Sequence, residues 1–295
     1  MTAKIIDGRE IAARMRAELK TEIGKLKTRG IIPGLAVILV GNDPASKSYV
    51  TAKEKACEEI GIYSDDNRLS AEISQHQLLD LIRQKNSDPK IHGILVQLPL
   101  PKHIDDSAVL LAIDPDKDVD GFHPVNIGKM VAGEKAFLPC TPHGIIQLLI
   151  RSGVKLDGAH VVIVGRSNIV GKPLANMLIQ KSPTGNATVT ICHTRTKNLA
   201  DHTRRADIII AAAGKPNTIT DDMVRQGCVV IDVGVNRIED KTKKAGYRLV
   251  GDVDFEKVKE KASLITTVPG GVGPMTITML LYNTVDSAKK SAGLA

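Results

Sequence analysis

Apolar runs and amphipathic helical stretches alternate along the chain. LAVILV (35–40) and GILVQL (93–98) are followed by HVVIVG (160–165), TVTIC (188–192), ADIIIAAAG (206–214) and CVVIDVG (228–234). The last four lack polar alternation, which predicts parallel strands buried on both faces. Around these runs, residues 11–29, 45–60, 75–86, 144–152 and 275–288 repeat apolar positions at helical spacing. Strands and helices taking turns predict an α/β protein with parallel sheets and short connections. Two prolines in FLPCTPHG (137–144) mark a boundary, and VPGGVGP (268–274) marks a second crossing before the last helix. The expected domains are therefore 1–139 completed by 275–295, and 140–274.

One helix breaks its own pattern. In SYVTAKEKACEEIGI (48–62) and the residues just before it, about 100° per residue brings Ser46, Val50, Cys57 and Ile60 into an arc of roughly 80°. Lys53 falls inside this apolar stripe and Tyr49 at its edge, while Lys47, Glu54, Lys55, Glu58 and Glu59 point elsewhere. Open parallel sheets bind ligands outside the carboxyl ends of their strands. The face shared by Lys53 and Tyr49, on the helix after LAVILV, is placed to line such a crevice. Gln97 sits at the carboxyl end of GILVQL, an amide among apolar neighbours. The acid-rich DPDKDVDGFHP (114–124) lacks the ligand spacing and closing glutamate of a calcium loop. One of its acids is instead suited to accept hydrogen bonds from an amino-heterocycle. Each feature has a plainer alternative: a snorkelling lysine, an amide capping a strand end, and solvated acids.

AHVVIVGRSNIVGKPLANMLIQ (159–180) reads as strand, glycine turn and helix, the arrangement that holds a pyrophosphate at a helix N-terminus. The fit to GxGxxG is imperfect: Gly165 makes the turn, Ser167 replaces the second glycine, and Gly171 comes one position late. A tight strand–helix turn without ligand is the competing reading. An NAD site carries an acid at the end of the second strand for the ribose hydroxyl. Here that position reads CHTRTKN (192–198), without an acid, and Arg166, Thr194 and Arg195 suit a 2′-phosphate, so NADP is the expected cofactor.

Composition narrows the classes further. The 295 residues are 42% hydrophobic and 25% charged, as in a soluble globular protein, and carry a net charge of +7. That charge fits either nucleic acid or anionic small molecules. With 2% aromatic residues there is little to stack on bases, and no recognition-helix pattern occurs, so anionic small ligands are favoured. The basic runs KTKK (241–244) and EKVKEKA (256–262) read as solvated surface. No signal-peptide pattern or membrane-spanning stretch is seen. Cys57, Cys140, Cys192 and Cys228 lie far apart, which suits reduced thiols in a cytoplasm and makes a zinc cage, or any metal site, unexpected.

A set of longer segments is more specific. GNDPASKSYVTAKEKACEEIGI, HGILVQLPLP, DPDKDVDGFHPVNIGKM, PCTPHGII, VGRSNIVGKP and VPGGVGPMTITMLLYNTV occur in this order. The chain resembles the bifunctional methylenetetrahydrofolate dehydrogenase/methenyltetrahydrofolate cyclohydrolase family over nearly its whole length. The resemblance implies an N-terminal catalytic α/β domain, a C-terminal NADP-binding Rossmann domain and a folate cleft between them. It implies oxidation of 5,10-methylene-tetrahydrofolate to the 5,10-methenyl cation, then hydrolysis to 10-formyl-tetrahydrofolate. By motif, Lys53 matches the catalytic lysine, Gln97 its hydrogen-bond partner, Tyr49 the aromatic along the folate, and Asp120 the pterin-binding acid. Pro269, Gly270 and Gly273 match the folate-lining loop, and Gly165, Arg166, Ser167, Gly171, Thr194 and Val235 the NADP contacts. A serine is more usual where Thr194 stands, although the hydroxyl is kept. The family also implies a cytoplasmic homodimer in one-carbon metabolism, serving purine, methionine and histidine biosynthesis. A dehydrogenase without hydrolase activity is the nearer alternative, against which Lys53 and Gln97 both speak; a basic nucleic-acid-binding protein is the distant one.

Overall fold

The structure is a computed structural model that describes residues 2–243 and 246–294. In chain order its elements are β1 (Lys4–Ile6), α1 (Gly8–Lys27), β2 (Gly34–Val40), α2 (Pro44–Ile60), β3 (Tyr63–Leu69), α3 (Gln75–Ser87), β4 (Gly93–Val96), α4 (Asp106–Ala112), α5 (Pro124–Ala132) and α6 (Cys140–Arg151). They continue as β5 (His160–Val164), α7 (Gly171–Leu178), β6 (Thr188–Cys192), α8 (Leu199–Thr203), β7 (Ile208–Ala211), β8 (Val229–Asp232), β9 (Asn236–Glu239), β10 (Tyr247–Val250), α9 (Phe255–Val258), β11 (Leu264–Thr266) and α10 (Val272–Ser291). The chain divides into two compact units, Met1–Ala12 with Thr141–Thr276 and Ala13–Cys140 with Ile277–Ala295.

The second of these units contains a parallel sheet in the order β3-β2-β4. All seven residues of β2 are buried, as expected of a central strand covered on both faces. Ile38, Leu78, Ile82, Ile94 and Val109 belong to its core. α2 begins where the Asp43 carboxylate accepts the Ser46 N–H at 2.8 Å, with Pro44 in the first turn. A reciprocal Ser74–Gln77 capping box starts α3. The strand β3, YSDDNRL, was not anticipated: it lies at the sheet edge with a mostly half-buried or exposed pattern, so it has no apolar run to betray it.

The other unit is a six-stranded sheet in the order β1-β11-β8-β7-β5-β6, with every pairing parallel. Val162, Ile209, Val230 and Ile265 pack in its core. The expected burial of TVTIC on both faces fails: β6 is an edge strand, and only Cys192 within it is buried. The N-terminus also differs from the expected division. Strand β1 pairs with β11, Lys4 opposite Leu264, which ties the first residues to the six-stranded sheet rather than to the domain that follows them in sequence. Three residues with one buried position carry no readable period. A small antiparallel pair, β9 and β10, follows β8; Lys244 of the KTKK run falls outside the described residues. All four cysteines are buried and unpaired.

Candidate functional site

In the three-stranded unit, the buried face of α2 comprises Ser46, Val50, Lys53, Ala56, Cys57 and Ile60. Lys53 is only 7% exposed, and its Nζ donates to Gln97 Oε1 at 3.0 Å. Gln97 follows β4, where its backbone N–H continues the ladder to Ile38 O at 2.9 Å. Its side-chain Nε2 donates to Leu98 O at 2.7 Å, which turns Oε1 towards the lysine. The two residues are 44 apart in sequence and meet at the carboxyl end of the sheet.

Burial pushes the Lys53 amine below its ordinary value, with the Asp120 carboxylate pulling in the opposite direction. Burial raises the Asp120 carboxyl, and the Lys53 charge counters it. Cys140 completes the group. Its Sγ donates to Val119 O at 3.3 Å, and burial, with the Asp120 charge adding to it, drives its own ionisation well up, so it is a thiol and not a nucleophilic thiolate. The role of this cysteine was not legible; only its place in PCTPHGII singled it out. Tyr49 is 42% exposed on the same helix, one turn before Lys53.

The acid-rich segment splits into two kinds of residue. Asp118 is buried and accepts from the backbone of Phe122 (3.3 Å) and His123 (2.8 Å) and from Asn126 Nδ2 (2.9 Å). It builds the turn that presents Asp120 beside Lys53. A separate hollow of about 550 Å³ borders Ile32, Tyr63, Lys90 and His92 at the amino ends of the strands, away from Gln97.

The six-stranded unit carries the glycine turn. Gly165 has φ +137°, and a Cβ there would sit 2.0 Å from Ala212 O. At Gly171 a Cβ would sit 2.1 Å from Gly165 O, so this late glycine performs the close helix–strand approach. Ser167 Oγ accepts from Val170 N (3.1 Å) and Gly171 N (3.4 Å), stiffening the start of α7. The loop after β6 bears Thr194 and Arg195, both exposed like Arg166. Neither guanidinium pairs with a carboxylate among the described residues, leaving both to meet an anion. Val235, 53% exposed, lies just beyond β8. Pro269, Gly270 and Gly273 belong to this same unit: the first two lie in a turn closed by Gly271 N to Thr267 O at 2.9 Å, and Gly273 in the first turn of α10.

A buried lysine held by a neutral amide at one strand end, and a glycine cradle with Arg166 and Arg195 exposed beside it on a separate parallel sheet, define a two-domain α/β dinucleotide enzyme. The catalytic-domain model of tetrahydrofolate dehydrogenase/cyclohydrolase matches residues 6–120, and the NAD(P)-binding-domain model of the same family matches residues 139–292. The bifunctional protein FolD of Syntrophus aciditrophicus is 62% identical over 294 residues, covering 100% of both chains. The crystal structure of the bifunctional enzyme FolD from Campylobacter jejuni superposes with a TM-score of 0.92 at 51% identity, covering 98% of this chain and 99% of that one. The Trypanosoma brucei dehydrogenase-cyclohydrolase, complexed with NADP and an inhibitor, gives 0.94 at 40% identity, with 99% of each chain covered. The chain belongs to the tetrahydrofolate dehydrogenase/cyclohydrolase family.

Proposed function

We propose that the chain oxidises 5,10-methylene-tetrahydrofolate with NADP and then hydrolyses the 5,10-methenyl product to 10-formyl-tetrahydrofolate, with Lys53 controlling the second step. The observation that carries this is Lys53 itself: buried, held at 3.0 Å by a neutral amide, and with its amine pushed down by burial.

The six-stranded unit fits the cofactor, because its glycine turn clears space for backbone approach and, among the described residues, Arg166 and Arg195 pair with no carboxylate. Gly165, Ser167 and Gly171 shape the pyrophosphate cradle, Arg166, Thr194 and Arg195 take the 2′-phosphate, and Val235 borders the cofactor. When bound there, NADP would supply the acceptor for the hydride leaving the methylene carbon. The protein's contribution to that step is orientation, since the folate nitrogens supply the electron push.

Hydrolysis asks more of the side chains. Water forms a C–O bond to the methenyl carbon, one C–N bond of the five-membered ring breaks, and a proton leaves overall. With its amine pushed down by burial, Lys53 is placed to accept a proton from the attacking water. Gln97 fixes Nζ without adding a counter-charge, whereas an acid in its place would hold the lysine protonated. Asp120 receives the amino-pterin N–H groups, Tyr49 packs along the folate, and Pro269, Gly270 and Gly273 line the folate site. Family membership supports a setting in cytoplasmic one-carbon metabolism, with the chain acting as a homodimer and serving purine, methionine and histidine biosynthesis.

An absorbance assay with methylene-tetrahydrofolate tests the reading. With NADP, methenyl absorbance rises and then decays; with NAD the rise is much slower. A rise without decay favours a dehydrogenase alone, and no rise with either cofactor removes the proposal.

A further inference from the structure

Two buried carboxylates in the six-stranded unit take no part in the chemistry above. Asp232 ends β8 and Asp252 follows β10; they are 4% and 0% exposed. Asp252 Oδ2 accepts from the backbone N–H groups of Ala213 (2.6 Å) and Gly214 (2.8 Å), and its Oδ1 accepts from Asn236 Nδ2 at 2.8 Å. Asp232 Oδ1 accepts from Gly234 N (3.0 Å) and Asp252 N (2.8 Å), and its Oδ2 from Val253 N at 3.0 Å. The approach is tight: a Cβ at Gly251 would lie 1.8 Å from Asp232 Oδ2.

What Asp252 holds is selective. Ala213 and Gly214 form the loop just past β7, and Asn236 follows Val235 just past β8. Strand order reverses between β5 and β7, since β6 lies on one side of β5 and β7 and β8 on the other. A dinucleotide binds outside the carboxyl ends at such a point. The β7 loop is in direct contact there, because Ala212 O sits where a Cβ of Gly165 would go. Asp252 therefore ties one wall of the glycine cradle to the turn that carries Val235.

We propose that Asp252 is a positioning residue for the nicotinamide cofactor, its carboxylate fixing the loop after β7 and the turn at Val235 in the shape the dinucleotide requires. The inference rests on the reading of this unit as the NADP site. Removing the carboxylate frees two backbone donors at once, and hydrogen bonds to a charged acceptor are worth more than neutral ones.

The test measures the NADP dissociation constant by fluorescence, methenyl hydrolysis without cofactor, and thermal unfolding, for the parent, Asp252→Ala, Asp252→Asn and Asn236→Ala. Asp252→Ala is expected to weaken NADP at least about tenfold, while hydrolysis stays within about twofold. Asp252→Asn, which keeps one acceptor oxygen for the two loop amides, recovers part of the loss; Asn236→Ala gives a smaller loss in a fully folded protein. Unchanged NADP affinity in folded Asp252→Ala and Asn236→Ala overturns the inference. So does an equal loss of affinity, hydrolysis and stability, which marks a merely structural acid. A parent that binds no NADP fails the functional reading instead, a result distinct from both.

Discussion

Replacing Lys53 with methionine removes the amine and keeps most of the side chain's length. The surrounding stripe of Val50, Ala56, Cys57 and Ile60 already accepts apolar atoms. The substitution loses one hydrogen bond, to Gln97 Oε1 at 3.0 Å, worth about 1 kcal/mol net. It also relieves the cost of burying a polar amine on a residue that is 7% exposed, which acts in the opposite direction. Gln97 is half-buried, so its freed oxygen can reach water. Stability is therefore expected within about 1 kcal/mol of the parent, or above it. Hydrolysis loses its proton acceptor, and such groups contribute about 10²- to 10⁴-fold, or about 3–5 kcal/mol of barrier. The assay follows the decay of methenyl absorbance after adding enzyme, beside a thermal melt and an NADP titration. Hydrolysis at the parental rate in a folded Lys53→Met protein refutes the reasoning. A collapse of NADP binding along with it points to misfolding and contradicts the stability argument.

Asp120→Asn is expected to weaken folate binding by about tenfold with NADP affinity little changed, and equal loss of both by calorimetry argues for a structural acid. Arg195→Ala should shrink the preference for NADP over NAD by about tenfold, read from the ratio of kcat/KM values; an unchanged ratio removes Arg195 from the phosphate site. Burial pushes the Asp232 carboxyl from 3.8 up to about 6, although backbone donors at Asp252, Val253 and Gly234 oppose the shift. Because the fold favours the protonated acid, this stabilisation is complete below pH 3.8 and fades as pH rises through about 6. At about 1.4 kcal/mol per pH unit, that interval amounts to about 3 kcal/mol, and Asp232→Asn should remove this slope from the denaturant-measured unfolding free energy. An identical slope in parent and variant contradicts it.

The face carrying Lys53 was legible because helical phase is local: Val50, Lys53 and Cys57 lie within two turns of one another. The apolar runs of β2, β5, β7 and β8 were legible for the same reason, as each is buried on both faces. Edge strands hid themselves. YSDDNRL alternates half-buried and exposed residues, and TVTIC promised a burial that its edge position denies. The buried acids were harder still. Asp252 looks like one charge among many in GDVDFEKVKEK, and its partners Ala213 and Gly214 lie 39 and 38 residues earlier. Asp118 and Asp120 are two positions apart, yet one holds a turn and the other faces the lysine. Spacing carries no sign of that difference, because each depends on partners from other elements.

The depressed amine of Lys53 is what the hydrolytic step depends on, and it can be titrated directly. Heteronuclear NMR of ¹³C-labelled lysine, with the Lys53 signal assigned by its loss in Lys53→Met, gives its pKa beside the pH–rate profile for methenyl hydrolysis. Lys53 is expected to titrate below the ordinary 10.5, and hydrolysis to rise with pH through the same inflection. A Lys53 titrating at or above 10.5, or a rate profile whose inflection does not follow it, contradicts the assignment.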